Sequence, residues 1–459
     1  VLTNPTAMLH NFHFFKNLYT SFVPYDHLKY SLVFVSFAFL FHFNVHAQRP
    51  NIIYIMTDDM GYGDLSGYGR KDFQTPNLDK LASQGIKFIN AYSAGPLCTP
   101  TRVGFITGRY PARTPVGLIE PLTGQKKDTA IGLTPVYPSI ATLVKASGYE
   151  TALIGKWHLG ARSKHSPVKN GFDYFFGIHG GAADYISHKG GDGLPDLYDN
   201  DTPVTQEGYL TDLFSQKASA YIKQKHRKPF FLTVAFTAPH WPWQGTGDKP
   251  YADSVDFRVG GSPAVYATMM KSLDDAIGVL MKSLDDAGLS NETIVIFTND
   301  NGGERYSDNG GLTNAKGTLW EGGIRVPAFV RWPNKISPGT ITQQISITMD
   351  WTATILSVAG AKAHPDFPLD AIDLMPVMRA NGKNTERTLY WRTFQRNKQK
   401  AIRMGDWKYL QDEKGEYLFN LVNDQQEKNN LREKHSDVFN KLKKMYADWE
   451  KTVPPPTPL

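Results

Sequence analysis

The sequence predicts an α/β protein. A central, mainly parallel sheet is flanked by helices and followed by a small C-terminal α+β subdomain with an antiparallel sheet. Three observations carry this. Short β-branched apolar runs alternate with capped helical segments through about residue 380. Those runs are apolar at consecutive positions, as strands covered on both faces require. Beyond that point come short strands in succession and one charged helix.

The elements follow in order. "NIIYIM" (51–56) is a buried strand. "TPNLDKLASQG" is a helix with Thr75 as cap, Pro76 at the first helical position and Gly85 as stop. Helices near 139–147, 211–224 and 263–287 lead into the strands "ETALIG", "PFFLTVAF" and "ETIVIFT", and "VPAFVRW" is a further strand. "TLYWRTF", "KAIRMGDWKYLQ" and "GEYLFNLVND" read as antiparallel strands before a helix near 436–451. "SLDDA" occurs at Ser272 and again at Ser283, and its paired aspartates are expected on a solvated helix face.

Composition bounds the function. Hydrophobic residues are 41% and aromatics 12%, which fits a packed globular chain. A net charge of +6 over 459 residues suits an anionic substrate. No basic run with interleaved aromatics argues for nucleic acid. Lys29, the apolar run 31–41 and "VHAQ" resemble an export leader cleaved after Ala47, too short for a membrane span. The expected division is a leader over 1–47, a catalytic domain over 48–380 and a C-terminal subdomain over 381–459, with no membrane span after leader removal. The protein would be periplasmic or secreted.

In an open parallel sheet, ligands sit beyond the carboxyl ends of the strands. Four predicted strands end in Asp58-Asp59, in Lys156 and His158, in His240, and in Asp300-Asn301. The oxygen ligands Asp58, Asp59, Asp300 and Asn301 suit a hard divalent cation. Ca²⁺ tolerates carboxylates and amides together, Mg²⁺ wants a stricter octahedron, and zinc would want more His or Cys. A single Asp at a strand end is ordinarily a loop cap, which accounts poorly for two acidic clusters meeting at one edge.

Cys98 is the only cysteine. Thr99 as cap and Pro100 as first helical residue would put it at a helix N-terminus, where a thiolate or alkoxide is favoured. Arg102 adds a fixed charge one turn in. A lone cysteine is more often a small buried hydrophobe. A cysteine-phosphatase loop would need arginine six positions on, where this chain has Gly104.

"PLCTPTRVGFITG" resembles the type I sulfatase signature, with its C-x-P-x-R core. "GYETALIGKWH" resembles the family's second signature. "TDDMGYGDLSGYG", "TNDNGG", "AKGTLWEGGIRVP" and "YLFNLVNDQQEKNNL" are similar to further blocks in the usual order. The resemblance implies an alkaline-phosphatase-like sandwich and hydrolysis of sulfate esters. It implies that Cys98 becomes formylglycine through a maturase. One hydroxyl of the hydrated aldehyde would attack sulfur, and loss of a proton from the second would expel sulfate.

It also implies one Ca²⁺ held by Asp58, Asp59, Asp300 and Asn301, with residue 98 as a further ligand. Arg102 and His158 would flank the nucleophile, with His158 as base. Lys156, Lys316 and His240 would bind sulfate, and His240 would protonate the leaving oxygen. Tyr185, His188, Trp241, Trp243 and Arg305 are candidates for the substrate pocket. The substrate would be a sulfated glycan, from algal polysaccharide or glycosaminoglycan, or a small sulfate ester. A phosphatase or phosphonate hydrolase of the same fold, and a non-catalytic glycan-binding relative, are the rival readings.

Overall fold

The computed structural model describes residues 49–123, 130–161, 163–252, 256–379, 382–395 and 397–455. The expected leader lies outside them. Ten strands build the main sheet: β1 (Asn51–Thr57), β2 (Ile86–Tyr92), β3 (Glu150–Lys156), β4 (Tyr174–Ile178), β5 (Tyr198–Asp199), β6 (Thr202–Pro203), β7 (Phe230–Ala235), β8 (Thr293–Asn299), β9 (Ala328–Arg331) and β10 (Thr340–Ile347). Their order is β10-β2-β9-β8-β1-β7-β3-β4-β5-β6. The central run β8-β1-β7-β3-β4 is parallel throughout. β9 runs against both its neighbours.

Every residue of β1, β7 and β8 is buried. Side chains alternate across a strand, so β1 feeds two cores. Ile53 and Ile55 pack with Leu213, Phe214, Leu273 and Ile277 of the helices Leu210–Lys223 and Pro263–Asp286. Ile52, Tyr54 and Met56 pack on the other face with Val103, Val144 and Ile355 of the helices Cys98–Thr107, Ile140–Ala146 and Thr348–Ala359. The continuous apolar runs thus reflect two covered faces.

Two helices are capped by serine. Ser139 accepts the N–H of Thr142, and Ser262 accepts that of Val265. At the helix Pro76–Ser83 the expectation is corrected. Thr75 holds the N-cap position, but its hydroxyl accepts from Ser66 N at 2.9 Å and makes no cap bond. Asp274, from the long helix, accepts the N–H groups of Asn77 and Leu78 at 3.1 and 2.8 Å. Asp274 is therefore buried and not on a solvated face, which corrects the reading of the first "SLDDA". A neighbouring carboxylate is a stronger acceptor than a hydroxyl for orphan helix donors.

The second sheet is an antiparallel meander: β11 (Thr388–Arg392), β12 (Lys400–Met404), β13 (Trp407–Asp412) and β14 (Gly415–Asn420). The helix Ser436–Glu450 covers one face through Leu442 and Tyr446. Leu389, Trp391, Ala401, Leu410 and Phe419 on the other face pack with Tyr92, Ile324 and Met349. Within that contact the buried ammonium of Lys408 lies 2.9 Å from Glu321 and 2.8 Å from Glu427. Among the described residues, no helix is long and apolar enough to cross a membrane.

Replacing Asp274 with Ala is expected to cost about 1–2 kcal/mol in urea unfolding, because two helix N–H groups lose their acceptor. A larger loss from Thr75→Ala would refute that assignment of the cap.

Candidate active site

The parallel strands deliver their following residues to one edge. Asp58 and Asp59 follow β1, Lys156 closes β3, His240 lies past β7, and Asp300 and Asn301 follow β8. Asp59 has φ 63, in the left-handed region that Asp tolerates better than most residues. That break in strand alternation turns both carboxylates into one site. Gly155, with φ 121, precedes Lys156; a Cβ there would lie 1.9 Å from the Ala235 carbonyl, so only glycine lets β3 and β7 close up.

Cys98 is the first residue of the helix Cys98–Thr107, with extended Leu97 as its N-cap. The helix therefore starts earlier than Thr99 and Pro100 imply. Thr99 is no cap: its hydroxyl donates to the His158 carbonyl at 3.2 Å. The Cys98 Sγ stands 3.5 Å from Asp58 Oδ1. Burial pushes its thiol well above the usual value, against the pull of Lys156 and Lys316.

Three buried carboxylates meet here, each matched by a cation from elsewhere. Lys156 Nζ is 2.5 Å from Asp58, and Lys316 Nζ is 2.5 Å from Asp59. Arg102 is 3.0 Å from Asp300 and 3.6 Å from Asp58. Burial pushes Asp58 up to about 8, with Asp300 adding to it. Burial likewise pushes Asp59 up to about 6, opposed by Lys316. For Asp300 burial acts upward too, but Arg102 and Lys156 outweigh it and hold its carboxyl below the usual range.

The two histidines are neutral, because burial and then the neighbouring ammonium groups push both far below the usual imidazole value. His158 Nε2 lies 2.8 Å from the Leu122 carbonyl. A carbonyl only accepts, so Nε2 carries the proton and Nδ1 the lone pair. That Nδ1 is buried with no hydrogen-bond partner. His240 has the opposite tautomer: Nδ1 donates to the Trp241 carbonyl, and Nε2 lies 3.5 Å from Asp59 Oδ2. His158 also has a left-handed φ of 56.

The donor set fits a metal ion. Ligand atoms of Asp58, Asp59, Cys98 and His240 lie within 4.8 Å of one another. Asn301 Oδ1 is buried with no partner, while its amide N–H donates to Asp59 at 2.8 Å. Asp300 Oδ1 accepts from Asp59 N at 3.2 Å. Oxygen donors dominate, as hard cations prefer.

The candidate pocket residues divide. Tyr185 and His188 are buried. Tyr185 donates to the His240 carbonyl at 3.0 Å, and His188 donates to the Gly208 carbonyl at 2.9 Å. Trp243 is buried beneath exposed Arg305, whose guanidinium sits 5.1 Å from its ring centre. Trp241 is half-buried and donates to Glu304 at 3.0 Å, with Lys316 5.7 Å above its ring. Glu304 escaped the sequence reading, although it lies three residues past Asn301. So did Asp196, which accepts the N–H groups of His179 and Gly180 at 3.1 and 2.9 Å. It fixes the turn on which the His158 ring rests, where a Cβ on Gly181 would come within 2.5 Å of that ring.

Such a site attacks an ester whose charged oxygens the lysines can hold. Fold and site together define a hydrolase of anionic esters. Residues 50–361 match the Sulfatase family model, and residues 313–452 match that of N-sulphoglucosamine sulphohydrolase, C-terminal. The N-acetylgalactosamine-6-sulfatase of Rattus norvegicus is 34% identical over 388 residues, covering 79% of this chain and 71% of that protein. Arylsulfatase A of Bos taurus is 35% identical over 381 residues, covering 75% and 71%. The crystal structure of Ps i-CgsB in complex with k-i-k-neocarrahexaose has a TM-score of 0.80 at 29% identity, covering 89% of this chain and 94% of that one. The chain belongs to the sulfatase family and is a sulfuric ester hydrolase.

Arg102→Ala leaves Asp58 and Asp300 facing each other without their shared cation. A loss of about 3–5 kcal/mol in chemical denaturation is expected. Adding Asp300→Asn is expected to recover part of it, and strictly additive losses would contradict the pairing.

Proposed function

We propose that this sulfatase removes sulfate from a sulfated carbohydrate through a formylglycine formed from Cys98 by a maturase, with one Ca²⁺ in the site. The observation that carries the reading is the placement of residue 98 between acidic oxygen donors, two lysines and a histidine with a free, buried Nδ1. Among the described residues one metal position is found, served mainly by oxygen, which argues against a two-zinc phosphatase. An export leader over 1–47, a catalytic domain over 48–380 and a C-terminal subdomain over 381–459 belong to the same proposal, as does a periplasmic or secreted location.

Formylglycine hydrate at position 98 would supply one hydroxyl to attack sulfur and a second whose deprotonation would release sulfate. The cation, held by Asp58, Asp59, Asp300 and Asn301 beside residue 98, supplies charge that favours the ionised hydroxyl and offsets the sulfate oxygens. The chain's own residues do the rest. Lys156 and Lys316, paired with Asp58 and Asp59, are the ammonium groups that would hold the sulfate oxygens. His158 accepts the proton at Nδ1, which its bond to Leu122 keeps available. Arg102 keeps Asp58 and Asp300 in register. Sulfate beside His240 would raise the proton affinity of Nε2, which would take a proton from solvent water and pass it to the leaving oxygen.

The carbohydrate assignment draws on the relatives. One is named for N-acetylgalactosamine-6-sulfate, and one solved structure holds a neocarrahexaose. Exposed Arg305 and half-buried Trp241 offer a cation and a ring face to a sugar at the rim.

The matured enzyme is expected to release sulfate from an aryl sulfate far faster than phosphate from the matching phosphate. The reverse order would refute the reading. Cys98→Ala is expected to abolish turnover, and mass spectrometry of the peptide spanning residue 98 to find aldehyde in place of thiol. Chelation should remove activity and lower the melting temperature, with Ca²⁺ restoring both; recovery with Zn²⁺ and not Ca²⁺ would contradict the oxygen-ligand assignment. A panel of defined oligosaccharides, including galactosamine-6-sulfate and carrageenan units, identifies the substrate by sulfate release.

A further inference from the structure

We infer that the loop between β11 and β12 reaches back from the second sheet and, through Glu120, positions His158. The Glu120 carboxylate accepts the backbone N–H of Phe394 at 2.9 and 3.0 Å and that of Gln395 at 2.9 Å. In return the Glu120 N–H donates to Gln395 Oε1 at 3.0 Å. Glu120 is only 8% exposed, so these charge-assisted bonds act with little water to compete.

Two residues on, the Leu122 carbonyl takes the His158 Nε2 proton at 2.8 Å. The Leu122 N–H donates to Thr99 Oγ1 at 3.2 Å, and Thr99 donates to the His158 carbonyl, also at 3.2 Å. Glu120 and Thr99 thus hold the segment whose carbonyl selects the tautomer of His158. Thr99 is moreover the neighbour of residue 98.

The same loop holds a second part of the site. Asn397 donates to the Gly317 carbonyl at 2.7 Å, and Gln399 accepts from Leu319 N at 2.6 Å. Gly317 N in turn donates to the Pro96 carbonyl at 2.8 Å, two residues before Cys98. The segments carrying Lys316 and His158 therefore lean on one loop of the second sheet. Glu120 touches no reacting atom; it is a positioning residue, and its assignment rests on the reading of His158 as the base.

The test uses the matured full-length enzyme and an aryl sulfate. Glu120→Ala is expected to lower kcat about tenfold, as loss of a partner that orients a buried imidazole does, with KM within about twofold. Glu120→Gln keeps one carbonyl acceptor and is expected to recover most of that loss. In a His158→Ala background, Glu120→Ala is expected to cost nothing further, since the pair acts as one unit. Losses that multiply, or a kcat unchanged in Glu120→Ala, overturn the inference. Should Glu120→Ala fail to fold, Gln395→Ala at an exposed position carries the test, and a kcat within about twofold of wild type there overturns it. Full activity in His158→Ala refutes the base itself. A dead His158→Ala beside an active Glu120→Ala refutes only the role of Glu120.

Discussion

Three carboxylates meet at the end of the main sheet, closed off from bulk solvent. Asp58 and Asp300 are fully buried and Asp59 nearly so. At low dielectric, such a cluster is tolerable only with cations in contact. Each cation comes from a different part of the chain: Arg102 from a helix on one face, Lys156 from β3, Lys316 from a loop beyond β8. The sheet order that sets β8, β1, β7 and β3 side by side is therefore also the order that keeps this charge balanced. Folding and site assembly are one electrostatic problem here. Burial also keeps both histidines neutral, so two imidazoles stand ready with known lone pairs beside several ammonium groups.

Much of this was legible in the sequence because the signals are local. A run such as "NIIYIMTDD" states a buried strand and the residues it delivers, and the rule that ligands sit beyond the carboxyl ends of parallel strands does the rest. Ser139 and Ser262 each cap the helix that follows them, a purely local arrangement. Thr75 fails as a cap for a long-range reason. Asp274 comes in from about two hundred positions away, and spacing along a helix cannot reveal which face of it meets another helix start. The partners of Tyr185 and His188 are equally out of reach of the sequence: each side chain braces a backbone carbonyl in another segment. Glu304, Asp196 and Glu120 left no sequence signal because their partners lie in other segments.

The active-site chemistry depends on backbone as much as on side chains. The Leu122 carbonyl decides which nitrogen of His158 is free, and the Trp241 carbonyl decides it for His240. Two left-handed residues, Asp59 and His158, turn their side chains where a regular strand would not. Sites of this kind are stiff because their orienting groups are peptide units held by secondary structure, not flexible side chains.

The Lys408 ammonium, closed in between Glu321 and Glu427, has a bearing on how this architecture can vary. Glu321 also receives Arg325 and the Tyr92 hydroxyl, so the cluster ties the meander to β2 of the main sheet. A chimera that exchanged the C-terminal part alone would strand unmatched charge in a dry seam. The two sheets must consequently be inherited, or transplanted, as a matched pair. Diversification is then left to the loops, which can change length and chemistry without disturbing that lock.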